Sequence, residues 1–410
     1  VALLGLAAAA FLASSGLPAA SAQSGQALVS PPPDPGLLAP ASLNPGTLVI
    51  VGGGLSADNE AVYRAILDGR VGDGPLCVIS TAGADPVGSA ASAVARFDRW
   101  GGEGTARAHP LSEEDPESAR NPDVVAALAQ CSGYFFTGGV QSRILNLFRP
   151  DGAPTPAGEA ILGRWQAGAV VSGSSAGAAM MSDPMIAGGT SAGAFRNGTA
   201  EGGVRLDPGM GFLSDLLVDQ HFLARGRIGR LLTAVLGPEG MRMGAGIDED
   251  TALLVRGRDL EVVGASGVVM VDGRAANPDV APAGSRAFAA IRVELLGPGD
   301  RMSLDDWVVR PAQGKTAIGL PGTSGSDAGP SDLFDRWTFL HAVEAMGRGR
   351  EPSVAHTVEG GTVILRKGAN FRALAVPSGD GAGPDGSVQG LSAGPFLVRI
   401  QMDGAADSGR

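Results

Sequence analysis

The sequence predicts an α/β fold: a mostly parallel sheet with helices on both faces, followed by a C-terminal accessory region. Three observations predict it. β-Branched runs alternate with helix-period segments from Thr47 onward. A Gly-x-Ser-x-Gly turn follows the fifth such run. Beyond Val271 the alternation gives way to Gly/Pro/Ser-rich stretches. The chain has 410 residues, 64 of them glycine and 28 proline, enough for a large core and rich in loop-forming residues.

The first strand is expected at 47–51, ending in Gly52-Gly53-Gly54, with Asp58 as N-cap of a helix carrying Val62, Ala65 and Ile66 at helical spacing. The pattern repeats as strand 76–81 with helix 90–100, and as strand 106–111 with helix 123–129. Strand 134–137 leads through Gly138-Gly139-Val140-Gln141 into a helix ending at Phe148, and strand 169–172 leads into a helix starting at Ala176. Parallel sheets present their ligand sites at the carboxyl ends of such strands. The rhythm then loosens into a loop over 184–209, a short strand at 216–218, a helix near 228–236 and strands around 247–255 and 260–271. The catalytic domain is therefore expected to span 47–271. The accessory region, 272–410, contains loops at 313–330 and 377–395, an amphipathic helix with Leu333, Phe334, Trp337 and Leu340, and strands near 362–365 and 396–402.

Residues 1–22 are apolar and end in Ala20-Ser21-Ala22, a signal-peptide pattern that places the mature start at Gln23. This predicts a secreted or periplasmic protein with no membrane span after cleavage. Residues 23–46 are a Pro-rich linker. With 44% hydrophobic and 18% charged residues the chain is not a disordered one, and a net charge of −11 argues against a nucleic-acid partner. Cys77 and Cys131 are the only cysteines, each in or beside an apolar run, so two buried thiols are favoured over a bridge. Four histidines, at 109, 221, 341 and 356, show no ligand spacing with them, so no metal and no cofactor are expected.

Gly173-Ser174-Ser175-Ala176-Gly177 lies between a strand and a helix, the context in which this motif exposes a nucleophilic serine and leaves the next N–H, on Ala176, free for an oxyanion. Gly189-Thr190-Ser191-Ala192-Gly193 fits the same expression but lacks a preceding β-run and a following helical period, so Ser191 is expected in a loop. His221 directly follows a short apolar strand and is the expected base. His109 beside Pro110 is expected at the surface, His341 on the accessory helix and His356 in a polar turn. The orienting carboxylate is expected at Asp248 or Glu249, which would face opposite sides of a strand. Arg225, Arg227 and Arg230 are suited to substrate carboxylates or to a salt-bridged helix start, and Asp219 to a guanidinium or to orienting its loop.

Val-Val-Ser-Gly-Ser-Ser-Ala-Gly-Ala at 170–178, Met185-Ile186-Ala187-Gly188-Gly189, Asp219-Gln220-His221-Phe222 with its arginines, and Gly246-Ile247-Asp248-Glu249-Asp250-Thr251-Ala252 resemble the cyanophycinases. The resemblance covers roughly 47–271. It implies a class I glutamine-amidotransferase-like sheet, a relation to aspartyl dipeptidase, and a triad on Ser175, His221 and Glu249. It also implies oxyanion donors at Gly139 and Ala176, and substrate contacts at Gln141, Asp219, Gln220, Arg225, Arg227 and Arg230. The implied reaction cleaves cyanophycin, a poly-aspartate with arginine on its side chains, to β-Asp-Arg dipeptides; the implied assembly is a homodimer. The order of Ser175, His221 and Glu249 along the chain departs from that of α/β-hydrolases. A secreted aspartyl dipeptidase and an inactive binding protein on the same scaffold are the competing readings.

Overall fold

The computed structural model describes residues 45–238, 240–279, 285–318, 332–377 and 388–403. The expected signal peptide and almost all of the linker lie outside the described residues. In chain order the elements begin with β1 (Leu48–Val51), α1 (Glu60–Asp68), β2 (Leu76–Ile79), α2 (Pro86–Gly101), β3 (Ala106–His109), α3 (Pro122–Ala129), β4 (Gly133–Phe136), α4 (Gln141–Phe148), α5 (Pro156–Gln166), β5 (Val170–Ser174) and α6 (Ala176–Ala179). They continue with β6 (Met185–Gly188), α7 (Ser191–Asn197), β7 (Arg205–Asp207), β8 (Leu217–Asp219), α8 (Ile228–Leu236), β9 (Met243–Ile247), β10 (Thr251–Arg256), β11 (Asp259–Gly264) and β12 (Val268–Asp272). The remainder is β13 (Asn277–Pro278), β14 (Arg286–Leu296), β15 (Arg301–Ser303), β16 (Val309–Arg310), β17 (Thr316–Ala317), α9 (Thr338–Arg348), β18 (Ser353–Val358), β19 (Gly361–Ala375) and β20 (Ser392–Met402).

The first sheet runs β16-β15-β11-β10-β1-β5-β4-β2-β3. From β1 to β3 every neighbour is parallel, as the strand-helix alternation requires. The strands on the other side of β1 are antiparallel, and for β10 and β11 the turn at Gly257 that joins them is far too short for a parallel crossover. A second sheet runs β17-β19-β20-β14-β12-β9-β8. Strands after residue 271 thus extend both sheets: β15 pairs with β11 and β14 with β12. The accessory region is hydrogen-bonded into the body of the protein.

Period-two alternation sorts the core into layers. Val49 and Val51 face α1 and α2, packing with Tyr63, Ile66 and Phe97, while Leu48 and Ile50 face the opposite side. That second side packs on α4 and α5 and on Met243, Ala245, Ile247, Val268 and Met270 of the second sheet. The far face of the second sheet is covered by α7, α8 and α9 through Phe195, Leu231, Leu232 and Phe339.

Several expectations need correction. Asn59, not Asp58, caps α1, accepting from Val62 N–H, while Asp58 pairs with Arg99 at 2.7 Å. The run expected as one strand at 247–255 is two strands in different sheets, separated by a turn at 248–250, and the run at 260–271 is likewise split. Helix α5 was not anticipated; Thr155 caps it and Pro156 occupies its first turn. The accessory helix starts at Thr338, so Leu333 and Phe334 precede it and pack in the same core from the chain leading into it. The expected pair of thiols is a disulfide: Cys77 on β2 and Cys131 just before β4 sit side by side with Cα atoms 5.8 Å apart. Their sequence separation of 54 hid that proximity, which the β2-β4 pairing creates. His109 is half-buried beside this bridge, not at the surface, and His356 lies on β18 instead of in a turn.

The bridge closes a long loop, so it constrains the unfolded chain strongly. Replacing both cysteines with alanine is expected to lower stability by about 2–4 kcal/mol, read by denaturant or thermal unfolding of the folded variant. Stability equal to wild type would show that the bridge contributes nothing.

Candidate active site

Two loops and one turn converge at the ends of β1, β5 and β8. Ser175 follows β5 at a sharp corner with φ 56° and ψ −109°, held by its N–H donating to Val51 O at 3.0 Å. This conformation is unfavourable for a residue with a side chain and is the strained turn the motif predicts. The corner needs its first glycine, since a Cβ on Gly173 would lie 2.3 Å from Gly177 O.

His221 follows β8, also at positive φ, with its N–H donating to Gly52 O at 2.6 Å. Its imidazole lies close against the turn after β1: a Cβ on Gly53 would come 2.2 Å from the ring. Nε2 is 2.8 Å from Ser175 Oγ, and Nδ1 is 2.6 Å from Glu249 Oε1. Burial pulls the His221 pKa below its ordinary value despite the opposing pull of Glu249. The neutral ring then donates from Nδ1 to Glu249 and accepts from the Ser175 hydroxyl at Nε2.

Of the two acidic candidates, Glu249 meets the histidine. Asp248 is fully buried, where its carboxylate accepts from Ala224 N–H at 2.9 Å and Ser266 Oγ–H at 2.6 Å. Burial pushes its pKa up to about 6. The strand-parity argument for their opposite orientation does not apply, because β9 ends at Ile247 and both acids sit in the turn to β10. Asp250 closes that turn at positive φ and accepts from Ser56 N–H and Asn59 Nδ2.

The loop at Gly138 lies against Ser175, its Cβ position 3.3 Å from the serine Cβ. Gly139 N–H and Ala176 N–H have no hydrogen-bond partner among the described residues. The latter is unpaired for a general reason, the first N–H of a helix having no acceptor within it. Ser191, expected in a loop, begins the short helix α7 after β6. It is buried, donates to Gly226 O at 2.7 Å and accepts from Arg230 N–H, which leaves no role as a nucleophile.

The residues expected to contact substrate divide sharply. Asp219 is fully buried; Arg230 grips it with Nε at 2.8 Å and Nη2 at 2.5 Å, and its remaining Nη1 donates to Gly189 O. Arg227 donates to Gln220 O at 2.5 Å and lies 3.7 Å from Asp219, and its desolvated guanidinium falls to about 10. Gln141 Nε2 donates to Ile186 O and Ala187 O. Arg227 and Arg230 thereby fasten the loop around His221 to α8 and to the end of β6, in keeping with the loop-orienting reading of Asp219 and the salt-bridged reading of the arginines, while Gln141 ties α4 to β6. Gln220 Oε1 is buried without a partner among the described residues. Arg225 alone of the three arginines is half exposed, 3.9 Å from Glu249.

Two cavities meet at Gly54. One, about 800 Å³, contains Ser175 and is walled by α2, Tyr63 and Thr137. The other, about 570 Å³, contains Glu249 and Asp250 and takes Pro298, Trp337 and Val376 from the C-terminal region. Sequence reasoning missed these walls, and it read Gly52-Gly53-Gly54 only as a turn. Among the described residues, one cluster has metal-ligand chemistry, Cys77, His109 and Cys131, and its two sulfurs are bonded to each other.

Removing one partner of a buried ion pair strands the other charge. Asp219→Ala is expected to lose about 3–5 kcal/mol of stability in chemical denaturation, whereas a loss below about 1 kcal/mol would contradict the buried cluster.

Residues 104–263 match the model of peptidase family S51. A cyanophycinase from Nostoc sp. is 34% identical over 277 residues, covering 65% of this chain and 88% of that protein. One from Geminocystis herdmanii is 37% identical over 198 residues, covering 47% and 69%. The solved structure of a peptidase from an acI-B1 actinobacterium aligns with 64% of this chain and 98% of its own at 22% identity and a TM-score of 0.48. With that coverage of the Nostoc relative, the chain belongs to peptidase family S51 as a cyanophycinase-like peptidase.

Proposed function

We propose that this peptidase is an exported enzyme that degrades cyanophycin to β-Asp-Arg dipeptides through an acyl-enzyme on Ser175. The observation that carries the reading is the hydrogen-bonded row Ser175, His221, Glu249 opening into a cavity. His221 Nε2 takes the serine proton as Oγ attacks the scissile backbone carbonyl. Glu249 holds the tautomer and stabilises the imidazolium that results. The N–H groups of Gly139 and Ala176 receive the oxyanion, and the imidazolium returns its proton to the leaving amine. Water then repeats the sequence on the ester. The cyanophycinases similar to this chain supply the substrate. The signal-like residues 1–22 and the Cys77–Cys131 bridge support an oxidising compartment.

The experiment is incubation of the purified protein with insoluble cyanophycin, with poly-α-aspartate and α-Asp dipeptides alongside. Soluble β-Asp-Arg from cyanophycin alone is expected, and comparable hydrolysis of the α-linked substrates would favour a general aspartyl peptidase.

Since the base must be neutral and its pKa is lowered, activity is expected to fall on acidification with a midpoint below the usual histidine value of about 6.5. Glu249→Gln removes groups that raise that pKa, so it is expected to shift the acid limb lower still and to reduce kcat with little change in KM. A pH-rate profile unmoved by Glu249→Gln would contradict its role. Exhaustive chelation is expected to leave turnover intact, and loss restored by zinc would overturn the serine mechanism.

A further inference from the structure

The second sheet carries a groove of its own beyond the Glu249 cavity. On β14, Ile291, Val293 and Leu295 point into the core covered by α7, α8 and α9, so Arg292 and Glu294 point to the opposite face. The same alternation puts Arg372 and Leu374 of β19 and Leu397 of β20 on that face. Val308, Val309 and Pro311, at the edge of the first sheet, close the other side of a cavity of about 510 Å³. Its apolar walls are open to solvent, with Val308 46% and Leu397 38% exposed.

The groove holds a carboxylate that is only half engaged. Glu294 is 3% exposed; its Oε1 accepts from Arg292 Nε at 2.9 Å and Nη2 at 2.7 Å, whereas Oε2 has no hydrogen-bond partner among the described residues. Gly394 leaves room over that oxygen, since a Cβ there would lie 2.0 Å from it. A buried carboxylate is costly until its oxygens are satisfied, so Oε2 calls for a donor from outside the chain. Arg292 is already committed to Oε1 and to Trp307 O at 3.0 Å. Arg372 is exposed, and although its charge reaches Glu294 it forms no hydrogen bond or ion pair among the described residues. The groove thus offers a buried acceptor, apolar walls and an exposed cation.

An arginyl arm of the polymer has the complementary order, a guanidinium fork on a methylene stem with a carboxylate at its base. We propose that this groove is a second, non-catalytic site for such an arm, with Glu294 Oε2 taking the guanidinium and Arg372 the carboxylate. The assignment rests on the cyanophycin reading and gives the C-terminal region a task in it. Leu374 and Ser392, paired across β19 and β20, line the groove, and Val376 and Gly390, two positions along, line the Glu249 cavity, about 7 Å away along a strand. A polymer held in the groove therefore stays beside Ser175 between cuts.

Two substrates separate the groove from the active site: insoluble cyanophycin, long enough to occupy both, and a two-unit β-Asp-Arg oligomer, too short to do so. One chain bound at two places on one enzyme makes the second contact intramolecular. Arg372→Gln is expected to lower the ratio of polymer to oligomer kcat/KM by about 10- to 100-fold, and Arg372→Lys, which keeps the charge, by less. Glu294→Gln is expected to act in the same direction, and the exposed Arg372 keeps the test independent of any folding defect at the buried glutamate. An unchanged ratio in Arg372→Gln overturns the groove and leaves the peptidase reading intact.

Failure of wild type to hydrolyse either substrate would overturn the cyanophycin reading instead. The groove then keeps a readout that needs no turnover, sedimentation of Ser175→Ala with insoluble cyanophycin. Binding weakened by about 10-fold or more when Arg372→Gln is added supports the groove. Equal sedimentation of the two proteins overturns it.

Discussion

The structure turns on a three-residue link between two sheets. β9 belongs to the second sheet and β10 to the first, and Asp248-Glu249-Asp250 carries the chain between them. Ser175 rises from the first sheet and His221 from the end of β8 in the second. The imidazole can span both only if the sheet ends are fixed relative to each other. The two flanking aspartates do this. Asp248 ties the turn to Ala224 and Ser266, and Asp250 ties it to Ser56 and Asn59. Glu249 is left between two anchored neighbours with its carboxylate on His221.

The same economy governs the charges. The arginine-rich motif after His221 is largely internal, with Asp219 as the shared acceptor for Arg230 and Arg227. Fixing that loop matters because His221 itself has a positive φ, a conformation that persists only where the surroundings impose it. Serine, histidine and the Gly53 turn are thus held by backbone contacts between β1, β5 and β8, and by a buried ion cluster behind them.

Most of the parallel half of the fold was legible because β1, β2, β4 and β5 contain short apolar runs and α1 carries apolar residues at helical spacing, whereas α5 lacked so plain a signal. Ser175 and His221 were legible because their positions after strands follow from that pattern. Glu249 was distinguished from Asp248 by resemblance, since the local reason, a turn instead of a strand, depends on β9 and β10 entering different sheets. The same limit explains the other misses. Arg230 and Asp219 read equally as substrate contacts or as loop-orienting partners because one sequence cannot show that the ten intervening positions fold back to bury them together. Cys77 and Cys131 read as thiols because only the pairing of β2 with β4 makes them neighbours. Trp337, expected on the accessory helix, stands at its N-cap and reaches the Glu249 cavity from there, a long-range contact that the helical spacing could not show.

The central claim is that Ser175 carries the acyl group. Acid-quenching the enzyme during steady turnover of a β-linked aspartyl oligomer, then mapping its peptides by mass, tests it directly. The account predicts an ester adduct on the peptide containing Ser175, absent when that residue is alanine. An adduct on the peptide containing Ser191, or turnover retained by Ser175→Ala, would contradict it.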